Sequence, residues 1–212
     1  MISVIVRNRN EEQFIGHAIQ SVIDNISDFE IIVVDNMSTD DSIDIVKMFN
    51  FEDIKIETIT NYSPGRSINL GVQRARGDLV MVLSAHSQIM QKINEPLIAS
   101  YLEKYCCVFG KQVPIYRGKK ISKRYVWSHF VDQDVENMWS DLENRYFLHN
   151  AFSVFNRDFL LKNKFDESLP TKEDRYWVNN DIHDKKYKTF YKHDMICHHH
   201  WTPNGATWKG IG

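Results

Sequence analysis

Two hydrophobic rhythms alternate along the first half of the chain. The short runs Ile2 to Val6, Glu30 to Val34, Ile54 to Thr58 and Leu79 to Leu83 read as strands. The last, LVMVL, is apolar throughout, as expected of a strand buried on both faces. Between these runs, Ile15, Ile19, Val22 and Ile26 fall at helical spacing, as do Ile43, Val46 and Phe49, and then Ile68 and Val72. Strand, helix, strand, helix in this order predicts a doubly wound α/β domain: a mostly parallel central sheet, right-handed crossovers and flanking helices.

Past residue 86 the rhythm loosens. The pattern predicts a helix over 95–105, a strand at CCVFG, a strand and then a helix in AFSVFNRDFLLKN, and a capped helix in TKEDRYWVNNDIHDK. YKTFY and MICHHHW read as two further strands, whereas YRGKKISKRYVWSHF takes no assignment. No internal repeat or low-complexity tract interrupts the chain, so one domain over 1–212 is expected, with a break in character near residue 86.

Composition narrows the classes. A chain of 212 residues can bury a substantial core as one unit. With 26 Lys and Arg against 28 Asp and Glu, the net charge of -2 gives no reason to expect a nucleic-acid partner. No apolar run approaches the roughly 20 residues that cross a bilayer. The start, MISVIVRNRNEE, carries no basic leader, so a cytoplasmic location is expected. Cys106, Cys107 and Cys197 form neither a disulfide framework nor a CxxC pair, which points to reduced, buried thiols.

In α/β sheets, ligands bind beyond the carboxyl ends of the strands. Arg7, Asn8, Arg9 and Asn10 follow the first strand and could hold a base or phosphate, or form a solvated loop. Asp35, with Asn36 beside it, ends the second strand and is the better ligand contact. Ser38-x-x-Asp41 has capping-box spacing, and Ser63-Pro64-Gly65 fits a turn into the third helix. The fourth strand stops at Ser84-Ala85-His86. A lone histidine there is more often structural than a ligand, but His198, His199 and His200 close the last strand, and alternation puts His198 and His200 on one face. Glu173 and Asp174 follow Thr171 at a helix start, where they would serve either as a general base or as cap and dipole complement. GKKISKR, between Tyr116 and Tyr125, would meet an anionic membrane or acceptor, or form a solvated basic loop.

Taken in order, SVIVRNRNEEQFIGHAIQSV, EIIVVDNMSTDDS, GRSINLGVQRARGDLVMVLSAHSQI and FDESLPTKEDRYWVNN resemble the family 2 glycosyltransferases of the GT-A fold. The most specific pieces are VVDNMSTDDS, the N-x-G-x-x-x-A-x-G-D run from Asn69 to Asp78, and the Glu173-Asp174 pair. The resemblance implies inverting transfer of a sugar from a nucleotide-sugar donor to an acceptor hydroxyl, in bacterial surface polysaccharide, lipopolysaccharide or capsule synthesis. It makes 1–86 the nucleotide-binding half and 87–212 the acceptor-binding half, the acceptor being a saccharide or lipid-linked saccharide. Asp174 is the implied base, with Glu173 beside it. Arg7, Asn8, Arg9, Asp35, Asn36, Arg66, Asn69, Ser84 and His86 are the candidate donor contacts.

The family carries Asp-x-Asp where this chain has Ser84-Ala85-His86, and those aspartates bind ribose and a divalent metal. The polypeptide N-acetylgalactosaminyltransferases, similar in fold, use Asp-x-His with a distal histidine. The expectation is therefore an Mn²⁺ or Mg²⁺ site built on His86 with His198 or His200, Ser84 reaching ribose at most. The rival is a metal-independent mechanism in which Arg7, Arg66 and the histidines stabilise the leaving group, as a CMP-sugar donor would suit. A non-catalytic nucleotide-sugar-binding module is the alternative from another class. A nucleotidylyltransferase is disfavoured because VRNRNEEQF lacks the glycines of a triphosphate loop. The closing GATWKGIG is expected to continue in a longer natural chain, with Trp201, Trp208 and Lys209 either covering the donor or packing on the sheet.

Overall fold

The computed structural model describes residues 1–120 and 125–205. Its first half keeps the predicted alternation: β1 (Ile2–Asn8), α1 (Ile15–Asn25), β2 (Phe29–Asp35), α2 (Ser42–Met48), β3 (Ile54–Thr58), α3 (Pro64–Arg74) and β4 (Leu79–Ser84). There follow β5 (Ser87–Ile89), α4 (Glu95–Leu102), β6 (Cys107–Tyr116) and β7 (Lys119–Lys120), then a 3-10 turn at Tyr125–His129. β8 (Val135–Glu136), β9 (Trp139–Ser140), β10 (Arg145–Tyr146), β11 (Phe152–Asn156) and α5 (Arg157–Lys162) lead to α6 (Glu173–Tyr176), a π-helical turn at Trp177–His183 and β12 (Thr189–His200).

The main sheet runs β3-β2-β1-β4-β11-β6-β12-β5, with β7 on β6 and β8 on β12; β9 and β10 form a separate hairpin. β3, β2, β1 and β4 are parallel, and β11 joins antiparallel to both β4 and β6. Apolar layers cover both faces. One packs α3 with Phe109, Trp127, Phe147 and Trp177, the other packs α1 with Met81, Val108 and Phe152. This is the predicted α/β architecture, and its parallel half brings the carboxyl ends of β1, β2 and β4 side by side.

The second half departs from the sequence reading in two places. YKTFY and MICHHH belong to one strand, β12, whose register against β6 shifts between Lys192 and Ile196. The polar residues in between turn outward, and His193 binds Asp134 at 2.6 Å. The helix expected over 171–185 is a single α-turn followed by π-helix, and Thr171 does not cap it: the residue before α6 is Lys172, in the left-handed region at φ 59°. The cysteines are free and buried as expected, and burial pushes the Cys106 thiol up to about 12. Among the described residues, no helix is long and apolar enough to cross a membrane.

Candidate active site

Sheet register assembles the donor end. Asn8 stands opposite Asp35, and Arg7 opposite Ser84, so three adjacent strand ends contribute four of the predicted residues. The buried Asp35 carboxylate accepts from Asn8 Nδ2 at 2.8 Å, from the Ser38 hydroxyl at 2.5 Å and from the Ser38 N–H at 3.0 Å. Ser38 Oγ also accepts the Asn10 N–H at 2.9 Å, so the expected Ser38-x-x-Asp41 capping box does not form. Asp40 takes the Ser42 N–H and hydroxyl instead, at 3.1 and 2.5 Å. Asn36 is buried and donates its N–H to the Asn8 carbonyl at 2.9 Å; Arg9 is exposed. Asn10 and Met37, each at φ 52°, turn the chain sharply beyond β1 and β2.

His86 is held at both ring nitrogens. Nδ1 lies 3.1 Å from Glu11 Oε1, and Nε2 lies 3.0 Å from Nε2 of His199. Alternation favours His198 or His200 as the partner. The structure brings His199 instead, because β12 pairs with β5 and β6 at Ser87 and Pro114 and points His199 inward. His198 and His200 do share the other face, where His200 stacks on Phe14 at 5.0 Å. Behind His199, Gln112 Oε1 lies 2.8 Å from its Nδ1, and Gln112 Nε2 lies 2.8 Å from Nδ1 of His149. Burial holds His199 well below the ordinary histidine value, and His86, His149 and His200 add to the effect. His149 is lowered likewise by burial and by the charges of Arg175 and Arg7. Burial and His198 lower His200 to about 4.

Glu173 and Asp174 are both buried at the start of α6. Arg7 Nη1 donates to Glu173 Oε1 at 2.8 Å. Burial and the adjacent Asp174 push the Glu173 carboxyl up against the pull of Arg7. Burial opposes the charge on Arg7, but Glu173, Tyr62 and Asp174 still hold it above its ordinary value. Asp174 Oδ1 accepts the Arg175 N–H at 2.8 Å, and Oδ2 accepts Arg175 Nη1 at 2.9 Å and the Asn150 N–H at 3.1 Å. A carboxylate offers about four acceptor positions, so one is left for an incoming hydroxyl. Residues 149–151 join the two ends of the site: His149 takes Gln112, Asn150 takes Asp174, and the Ala151 carbonyl accepts the Ser84 N–H at 3.2 Å.

Two predicted donor contacts serve the fold instead. Asn69 Nδ2 donates to the Phe165 carbonyl at 2.9 Å and to Glu167 at 3.0 Å, and its Oδ1 accepts the Phe165 N–H at 3.1 Å. Arg66 Nε donates to Glu167 at 3.0 Å. The Asn69-to-Asp78 motif thus fastens α3 rather than lining the ligand end. At Gly71 a Cβ would sit 2.6 Å from Ile5 Cγ2, so only glycine lets α3 lie on β1. Ser63 caps α3 by accepting the Arg66 N–H at 3.1 Å, as its turn predicted. A second histidine and carboxylate group, Asp134, His193 and Asp194, sits at the β12 bulge, but the Lys192 ammonium already lies 2.7 Å from Asp194 and 3.7 Å from Asp134. Trp201 packs edge-on against Tyr116 at 5.4 Å; Trp208 and Lys209, like the ISKR segment at 121–124, lie outside the described residues.

Sequence reasoning missed Glu11, Gln112, His149 and Arg175. Each is an isolated polar residue in an unremarkable local pattern, and only the sheet brings the first three to His86 and His199.

Known proteins resemble the chain in sequence and in fold. A GalNAc(5)-diNAcBac-PP-undecaprenol beta-1,3-glucosyltransferase of Campylobacter jejuni is 29% identical over 197 residues, which cover 91% of this chain and 62% of that protein. A dolichyl N-acetyl-alpha-D-glucosaminyl phosphate 3-beta-D-2,3-diacetamido-2,3-dideoxy-beta-D-glucuronosyltransferase of Methanococcus voltae is 30% identical over 107 residues, 47% of this chain and 33% of that protein. TarS 1-349 of S. aureus in complex with UDP-GlcNAc superposes with a TM-score of 0.73 at 20% identity, over 98% of this chain and 60% of that one. The mannosyltransferase PcManGT of Pyrobaculum calidifontis, in complex with GDP-Man and Mn²⁺, gives 0.71 at 17% identity, over 96% of this chain and 58% of that one. These structures establish the GT-A fold, and the chain spans about three fifths of the length of the Campylobacter relative and of residues 1-349 of TarS, and 37% of the longer TarS chain. The model of the family described as glycosyl transferase family 2 matches residues 3–169, and the chain belongs to that family.

Proposed function

We propose that the chain is the catalytic core of an inverting glycosyltransferase that moves a sugar from a nucleotide-sugar donor to a hydroxyl of a saccharide or lipid-linked saccharide, in bacterial surface polysaccharide, lipopolysaccharide or capsule synthesis. One observation carries this reading. The buried Asp174 carboxylate is fixed by three N–H donors and tied, through Glu173 to Arg7 and through residues 149–151, to the strand ends that bear Asp35, Ser84 and His86. Asp174 takes the proton of the acceptor hydroxyl, whose oxygen bonds to the anomeric carbon while the nucleotide leaves from the opposite face with the bonding electron pair. Asp35, oriented by Asn8 and Ser38, receives hydrogen bonds from the nucleoside. The names of the Campylobacter and Methanococcus relatives support a lipid-linked acceptor.

The leaving nucleotide gains negative charge. His86 and His199 suit a divalent ion at this point: their Nε2 atoms lie 3.0 Å apart, and the low proton affinity of His199 keeps its imidazole in the neutral form that a metal ligand needs. That separation would let both nitrogens reach one ion. Such an ion would neutralise a departing diphosphate directly. Imidazole ligands favour Mn²⁺ over Mg²⁺, which prefers oxygen. The metal-independent route has fewer cations to draw on than its sequence suggested, since Arg7 is paired with Glu173 and Arg66 with Glu167.

Calorimetric titration with UDP, GDP, dTDP and CMP, each with Mn²⁺, Mg²⁺ or EDTA, tests this. The expected result is Mn²⁺-dependent binding of one diphosphate. Metal-independent binding, above all of CMP, would transfer the role of the ion to the protein's own cations, and binding of none would overturn donor recognition.

A further inference from the structure

The hydrogen bonds behind His86 and His199 define which ring nitrogens carry protons. Gln112 Nε2 faces Nδ1 of His149 at 2.8 Å and the His149 carbonyl at 3.4 Å, and the Ala151 N–H also points at that Nδ1, from 3.4 Å. A nitrogen that receives a backbone N–H is an acceptor, so Gln112 donates to His149 through its NH₂. Its Oε1 is thereby turned to Nδ1 of His199, which must be the N–H side of that ring. On His86, the Glu11 carboxylate at 3.1 Å likewise requires Nδ1–H, because a bare nitrogen there would set one lone pair against another. With both rings neutral, their Nε2 atoms face each other unprotonated across 3.0 Å. Two facing lone pairs are mutually repulsive unless a cation lies between them. The other Glu11 oxygen, Oε2, is buried with no hydrogen-bond partner among the described residues, which adds negative potential at the same place.

We propose that Gln112, itself oriented by His149 and the Ala151 N–H, and Glu11 are positioning residues that lock His199 and His86 in the Nδ1–H tautomer, so that their Nε2 atoms converge on one divalent ion. This rests on the glycosyl-transfer reading above. It replaces the missing Asp-x-Asp carboxylates by two neutral ligands whose charge partner, Glu11, stands one atom layer back. Outer partners of this kind fix ligand orientation, and their loss typically weakens metal binding 10–100-fold.

The test is Mn²⁺ uptake by the purified chain, read from loss of the free-ion electron paramagnetic resonance signal, alongside ¹H–¹⁵N correlation spectra of the histidines in EDTA. Gln112→Met, which has no acceptor, should weaken Mn²⁺ at least tenfold and release His199 from the Nδ1–H form. Gln112→Glu, which keeps an acceptor, should stay within about threefold of wild type. Glu11→Leu and Glu11→Gln form a second pair with the same contrast at His86, should the Gln112 variants fail to fold. Wild-type affinity in Gln112→Met and Glu11→Leu would overturn the positioning role. No Mn²⁺ uptake by the wild type would overturn the two-histidine site itself; sugar transfer persisting in EDTA would then show that the transferase reading survives without it.

Discussion

Arg7 and Glu173, separated by 166 residues, meet in an ion pair of 2.8 Å that buries Glu173 and most of the Arg7 side chain. The pair fastens the turn that bears Asp174 to the end of β1, and so couples the proposed base to the strand ends proposed to hold the donor. Removing one partner of a buried pair leaves an uncompensated charge and costs about 3–5 kcal/mol. Arg7→Met should therefore lower the urea midpoint of unfolding by that equivalent and reduce kcat/KM at least tenfold. Glu173→Gln, which can still accept from Arg7, should lose less in both measurements.

Asn69 makes three hydrogen bonds to residues 165–167. Asn69→Ala strands the buried Phe165 N–H and carbonyl, at about 1–3 kcal/mol for each group left unpaired. Denaturant unfolding should register that loss, while calorimetry should give an unchanged donor affinity. A donor Kd raised tenfold in a folded Asn69→Ala chain would return the residue to the ligand site.

The contrast between Asp35 and Asn69 marks how much the sequence discloses. Strand ends are legible because a five-residue apolar run needs no long-range information, so the local pattern alone places Asp35, Arg7 and the interruption at Ser84-Ala85-His86. It does not disclose the role of Asn69, because the partners of that side chain lie almost a hundred residues away on a loop of irregular backbone. The choice of His199 over its neighbours hinges on a bulge: one shift of register between Lys192 and Ile196 decides which histidines face inward, and nothing local to HHH encodes it. Thr171 and Ser38 carry capping spacing, yet both helices start elsewhere, since spacing alone cannot tell a cap from a ligand-loop contact.

Acid should destabilise the chain in a defined window. Burial lowers His149 and His199 well below 6.5, so below that pH the unfolded chain binds protons that the native chain does not. The sign is therefore a loss of stability as pH falls from about 6.5, at about 1.4 kcal/mol per pH unit for each of the two, and His200, lowered to about 4, adds in the same direction. Urea unfolding in EDTA at pH 7.5, 6.5 and 5.5 checks this. His149→Asn should make the slope shallower.

The β6–β7 turn presents Lys119 and Lys120 to solvent, next to Arg117 and Gly118 in left-handed conformation. If the acceptor is lipid-linked, this hairpin is the surface expected to approach anionic headgroups, at about 1 kcal/mol for each basic residue. Replacing both lysines by glutamate should lower co-sedimentation with phosphatidylglycerol vesicles at least tenfold, while turnover of a water-soluble acceptor stays unchanged.

The central claim is that Asp174 is the base of a sugar transfer, and Asp174→Asn tests it most directly when donor binding and turnover are measured on the same preparation. The prediction is a donor Kd within about threefold of wild type with kcat reduced by about 10²–10⁴. Turnover at the wild-type rate in Asp174→Asn would contradict it.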